Sequence, residues 1–335
     1  MNKKLSILAF CVTAVLAGCQ DNDDSLQTQT SSSSPNELAA TVELPAFCAA
    51  TAQQSPLSAE TKASQITDQY VFVEGPVWDD KNQVFYFSEM DFDGPQDSGP
   101  RSIIHRLRLP DQLDVFIDNS GSNGIAIDGQ RLIATTHDSQ TVSSYDIASK
   151  KRDIVVSDFE GKHFNSPNDI AVSARGDMYF TDPDWQLGTR PKQTGMTGVY
   201  WRDRQGDVHL VDGERGNPNG ISLSPDQTFL YVGENNGTIS RYPVNQDGSV
   251  GERADFAHVP EPDGMAVDCA GNIYIASHGP GKLVMLSPEG QQLTSIDIAP
   301  RATNVSFGGA EHKTILVTAG GGLYTLPSPI AGFPY

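Results

Sequence analysis

The sequence predicts an all-β fold: a six-bladed β-propeller with four antiparallel strands per blade, its last blade closed by an N-terminal strand. Three observations predict it. First, a Glu, Asp or Asn followed by glycine or a close relative and then a short apolar run occurs six times. The instances are Glu74-Gly-Pro-Val-Trp, Asn123-Gly-Ile-Ala-Ile, Asn168-Asp-Ile-Ala-Val, Asn219-Gly-Ile-Ser-Leu, Asp263-Gly-Met-Ala-Val and Asn304-Val-Ser-Phe. Second, their leading residues lie 49, 45, 51, 44 and 41 positions apart, the period of a propeller blade. Third, no helical period of apolar residues stands out beyond the N-terminal segment, and strand-and-turn signals account for the rest.

Each repeat opens with a strand whose larger and smaller residues alternate. Ile125 and Ile127 oppose Gly124 and Ala126, and Met265 and Val267 oppose Gly264 and Ala266. Adjacent strand residues face opposite sides, and a face of small residues suits the crowded axis of a ring of sheets. A turn comes next, marked by Asp128-Gly129, Arg175-Gly176-Asp177, Pro225-Asp226 or Ala270-Gly271-Asn272. Second strands are apolar and aromatic: Val84-Phe-Tyr-Phe, Leu132-Ile-Ala-Thr, Met178-Tyr-Phe-Thr, Phe229-Leu-Tyr-Val and Ile315-Leu-Val-Thr. Third strands read as Val142-Ser-Ser-Tyr, Gly198-Val-Tyr-Trp and Leu283-Val-Met-Leu, and fourth strands as Val115-Phe-Ile, Ile154-Val-Val and Thr294-Ser-Ile. The sixth repeat has no fourth strand, because Pro327, Pro329 and Pro334 interrupt the chain beyond Leu326. The stretch from Ile66 to Val73 is expected to complete that blade and so remove an open edge.

The chain divides into residues 1–18, 19–60 and 61–335. Lys3 and Lys4 precede an apolar stretch from Leu5 to Ala17, which is too short to span a membrane and has the layout of a secretory signal. Leu16-Ala17-Gly18-Cys19 resembles a bacterial lipoprotein lipobox. That resemblance implies cleavage before Cys19 and a lipid on its sulfur, with membrane contact through the anchor alone. Residues 19–60, rich in Ser, Thr, Gln and Asp, read as a flexible tether. The expected location is the bacterial cell envelope, with the periplasmic face of the outer membrane favoured. The formal charge of −19 becomes −21 once Lys3 and Lys4 leave. A balance this acidic argues against a nucleic-acid partner. Cys48 and Cys269 remain in the mature chain, where either a disulfide or two unrelated thiols fits the sequence. The domain is expected to be a monomer.

Any single Asn-Gly here reads as a turn; the set carries the functional argument. If each motif opens an innermost strand, oxygen ligands from several blades converge at the axial mouth, the carboxylates of Glu74 and Asp263 among them. Two buried carboxylates repel unless a proton or cation intervenes. Two carboxylates with amide oxygens suit one hard divalent cation, Ca²⁺ above Zn²⁺, Mn²⁺ or Mg²⁺. Asn123 occupies the same place in the second repeat, and His137 and His278 come just after second strands. These three are candidate substrate contacts. Arg101, Trp185, Arg190 and Met196 lie in longer segments placed to roof the mouth.

The chain resembles the gluconolactonase, senescence-marker-protein and luciferin-regenerating-enzyme family over residues 64 to 326. The resemblance rests on Glu74-Gly-Pro-Val-Trp78, Asn165-Ser-Pro-Asn-Asp169 with Tyr179-Phe-Thr-Asp-Pro183, Pro218-Asn-Gly-Ile-Ser-Leu-Ser-Pro-Asp226, Pro262-Asp-Gly-Met-Ala-Val-Asp268 and Ser306-Phe-Gly-Gly309. It implies one divalent metal held by Glu74, Asn219 and Asp263. Asn168 is implied as a ligand of metal or substrate, and Asp263 as general base. The implied activity is metal-dependent opening of a sugar lactone. The alternatives are hydrolysis of another ester or a phosphotriester, and an envelope-tethered binding propeller without turnover.

Overall fold

The computed structural model describes residues 44–51, 53–93, 96–214 and 216–333. The expected signal peptide of residues 1–18 and the expected lipidation at Cys19 fall outside the described residues.

The described chain opens with a short helix, α1 (Ala46–Thr51), and a strand, β1 (Ser64–Thr67). Six four-stranded antiparallel sheets make up the ring. The first holds β2 (Val73–Asp79), β3 (Val84–Asp91), β4 (Arg101–Arg108) and β5 (Gln112–Ile117). The second holds β6 (Ser122–Asp128), β7 (Arg131–Thr136), β8 (Thr141–Asp146) and β9 (Arg152–Val156). The third holds β10 (Ile170–Val172), β11 (Met178–Asp182), β12 (Gly198–Arg202) and β13 (Val208–Asp212). The fourth holds β14 (Pro218–Leu223), β15 (Phe229–Glu234), β16 (Thr238–Pro243) and β17 (Ala254–His258). The fifth holds β18 (Pro262–Val267), β19 (Ile273–Ser277), β20 (Lys282–Leu286) and β21 (Gln292–Asp297). The sixth joins β22 (Ala302–Gly308), β23 (Thr314–Ala319) and β24 (Gly322–Pro327) to β1.

The ring closes as expected. Ser64 pairs with Thr325 and Gln65 with Tyr324, and Thr303 Oγ1 donates to Val73 O at 2.7 Å, tying the last blade to the first. The closing strand is shorter than the predicted stretch, because Val73 instead begins the first blade. Burial falls from axis to rim. All seven residues of β2 are buried, whereas β17 has none. Inner strands pack on both faces against neighbouring blades. One such layer combines Ala126, Ile133 and Val142 with Ile170, Phe180 and Tyr200.

The tether reading needs correction near its end. Residues 46–51 form α1, and Cys48 is fully buried and bonded to Cys269. Thr51 Oγ1 accepts from Ala331 N at 3.1 Å, and Phe47 stacks on His312 with centroids 4.5 Å apart. A six-residue helix is too short to be stable alone; the covalent link and these contacts hold it. The apolar content of this segment is too brief to register as a helical period.

Candidate active site

The register of the inner strand slips at the same point in four blades. The irregularities fall between Glu74 and Val77, Ser122 and Ile125, Pro218 and Ile221, and Pro262 and Met265. A bulge bends its strand and re-aims the side chains there. This is how the leading residue of each motif turns toward the axis. In the third blade β10 starts later, and Asn168 precedes it.

Glu74, Asn123, Asn168, Asn219, Asp263 and His278 line one cavity of about 220 Å³. Glu74 is 5% exposed and Asp263 6%, so neither carboxylate has water to disperse its charge. Blade-to-blade hydrogen bonds set the amides. Thr135 Oγ1 donates to Asn168 O at 2.5 Å, and Thr181 Oγ1, at the equivalent place one blade on, donates to Asn219 O at 2.8 Å. Asn168 N donates to Thr181 O at 2.9 Å. Around these lie Phe72, Met90 and Trp185 on the apolar side, with Gln186, Asn235 and Glu261 as further polar groups.

His278 Nδ1 stands 3.2 Å from Asp263 Oδ2, and the ring is one-third exposed to the cavity. His137 departs from expectation. It does not line this cavity; it is wholly buried, with Nε2 2.7 Å from Pro100 O. Burial pulls its pKa down to about 4, so it serves as a neutral peg for the segment before β4. Its position after a second strand was right for the mouth, but the chain around Pro100 covers it.

A second layer joins Asn304, the leading residue of the sixth motif, to Asp169, which the sequence did not single out. Asp169 and Asn304 sit one step farther along the axis, where they line a channel with Ile125, Ile170 and Ile221. Asn304 Nδ2 is 3.5 Å from Asp169 Oδ2. Neighbouring glycines make room for them. A Cβ on Gly264 would lie 1.9 Å from Asn304 Cγ, and one on Gly124 would lie 2.6 Å from Asp169 Oδ1. The signal was legible: Asp169 occupies the slot that Gly124, Gly220 and Gly264 fill in other repeats.

Electrostatics bind these residues into one unit. Burial raises Glu74 well above the usual carboxylate range, and the charges of Asp263 and Asp169 raise it further. Asp263 is raised by burial and then by Asp169. Burial lifts Asp169 to about 7. Such a cluster wants protons or a cation. Asn219 Oδ1 is buried without a partner among the described residues. No group of three or more His, Cys, Asp or Glu suited to a metal occurs among the described residues; the donors here are two carboxylates supplemented by amides. That oxygen-only set, with an orphaned amide oxygen, fits a hard divalent cation.

Comparison with known proteins agrees with the fold. The model for the SMP-30/gluconolactonase/LRE-like region matches residues 72–321. The chain is 28% identical to a gluconolactonase of Zymomonas mobilis, an alignment covering 78% of this chain and 80% of that protein. The solved structure of a gluconolactonase from Xanthomonas campestris superposes with a TM-score of 0.71 at 27% identity, covering 81% of this chain and 90% of that one. A calcium-binding protein, regucalcin, from Agrobacterium tumefaciens shares the fold with a TM-score of 0.67 at 18% identity, covering 82% of this chain and 96% of that one.

Proposed function

This chain belongs to the SMP-30/gluconolactonase/LRE-like family, and we propose that it is a lactonase that opens a sugar lactone with water at the axial mouth. The observation that carries the reading is the convergence of Glu74, Asn168, Asn219 and Asp263 in one cavity. These four residues would hold a divalent cation, Ca²⁺ by donor chemistry. The bound ion would supply Lewis acidity toward the carbonyl oxygen, where negative charge develops.

The chain's own residues do the rest. Asp263 takes the proton from the attacking water within hydrogen-bond reach. His278 stands 3.2 Å from Asp263 Oδ2 without a hydrogen bond to it and faces the cavity as a contact for substrate. Asn123 is 1% exposed, and its Nδ2 has no partner among the described residues; it donates to an oxygen of the substrate. Phe72, Met90 and Trp185 narrow the mouth and limit bulk water. The Cys48–Cys269 disulfide supports an exported location, in keeping with a lipid at Cys19.

Acid release from glucono-δ-lactone, with chelator and after return of Ca²⁺, tests this reading. Turnover that vanishes with chelator and returns with the ion is the expected result. Turnover unaffected by chelator would remove the cation. No turnover on any lactone would leave a binding propeller or a hydrolase of other esters.

A further inference from the structure

Gln186 stands on the segment after β11 that roofs the cavity, and its backbone is fixed from both sides. Its N–H donates to Ser166 Oγ at 3.2 Å, and its carbonyl accepts from Arg190 Nη2 at 2.8 Å. Arg190 also donates to the carbonyls of His137, Asp138 and Leu187 at 2.7, 2.9 and 2.8 Å. Gly188 closes the arrangement: a Cβ there would lie 2.2 Å from Gln96 O. Its φ of +65° also disfavours a side chain. The roof is therefore anchored to the second blade and to the segment before β4, and it presents Gln186 from a rigid base.

Gln186 is among the residues that line the cavity, and its Oε1 is buried with no hydrogen-bond partner among the described residues. An unmade buried acceptor costs about 1–3 kcal/mol. An amide oxygen only accepts, and so do the carbonyl and ring oxygens of a lactone. Only an O–H on the substrate satisfies Gln186. Next to it Trp185, 40% exposed, offers an aromatic surface to the C–H face of a ring.

We infer that Gln186 is a specificity-determining residue that accepts a hydrogen bond from a ring hydroxyl and so selects polyhydroxylated lactones over lactones that bear none. This rests on the lactonase reading above. A site built to hydrogen-bond a hydroxyl rejects the analogue that lacks it, because the buried polar group is then left unpaired.

The test compares glucono-δ-lactone with δ-valerolactone, the same ring without hydroxyls, on the cation-loaded full-length protein. Wild type should favour glucono-δ-lactone. Gln186→Leu should lower kcat/KM for that substrate about tenfold, the scale of one hydrogen bond, while δ-valerolactone hydrolysis stays within about twofold. Gln186→Glu keeps an acceptor and should retain the preference even if both rates fall. Equal losses on both substrates in Gln186→Leu, or no loss on either, would overturn the assignment, as would a wild type indifferent to hydroxyls. Failure of wild type to hydrolyse either lactone would instead overturn the lactonase reading itself, and this assignment with it.

Discussion

Asn304 and Glu74 lie 230 residues apart in the chain and meet on the axis of the ring, where Asn304 Nδ2 stands 3.4 Å from Glu74 Oε2. The same amide reaches Asp169. Asn304 therefore holds Glu74 at the mouth from behind. Loss of a residue that supports a metal ligand typically costs about 10–100-fold in metal affinity. Asn304→Ala should weaken Ca²⁺ binding by that amount in calorimetry. An unchanged affinity would show that Glu74 needs no support from this side.

The ligands themselves should cost more. Glu74→Gln and Asp263→Asn each remove a buried charge from the donor set. Each should weaken Ca²⁺ binding by more than about 100-fold, beyond what a supporting residue costs. Asn123→Ala should leave Ca²⁺ affinity unchanged and raise KM. Calorimetry on the three variants separates ligand from substrate contact, and unchanged affinity in both carboxylate variants would refute the site.

Asp169 predicts a pH signature for the metal-free protein. Its folded pKa, raised by burial to about 7, exceeds its ordinary value of 3.8. A carboxyl raised in this direction leaves stability intact below about pH 4 and erodes it as pH climbs through 7. Asp169→Asn carries no ionisable group. In chelator, its Tm minus that of wild type should grow from pH 4 to pH 7 and level off above. A difference that stays flat across this range would mean that Asp169 ionises without penalty.

The disulfide predicts a loss of stability without a loss of chemistry. Neither Cys48 nor Cys269 lines the mouth cavity. Cys48→Ser should destabilise the domain by about 2–4 kcal/mol and leave kcat/KM within about twofold of wild type. Thermal unfolding and lactone hydrolysis measured on the same preparation check both halves. A matching fall in activity would place the N-terminal helix in communication with the mouth.

The sequence by itself determined the ring. A repeated motif, alternation on the inner strands and a missing last strand are local patterns, and they led to six blades and to closure by the chain's N-terminal strand. They also led to a ring of converging oxygen ligands, because equivalent positions in a ring must converge, and the family resemblance drew Glu74, Asn168, Asn219 and Asp263 from that set. His137 occupied an apt position too, yet it is buried under Pro100, since the path of a long surface segment is not written in a repeat. Asp169 was missed for the converse reason, and Asn304, though it leads the sixth motif, was given no role at the site. What either does at the axis shows only when glycines on adjacent blades are seen to leave space for it. Likewise α1 owes its existence to a bond with Cys269, 221 residues away. Which positions repeat is decided within the chain. Which side chains share a buried volume, and therefore raise one another's pKa or leave an oxygen waiting for a partner, is decided only when distant blades pack.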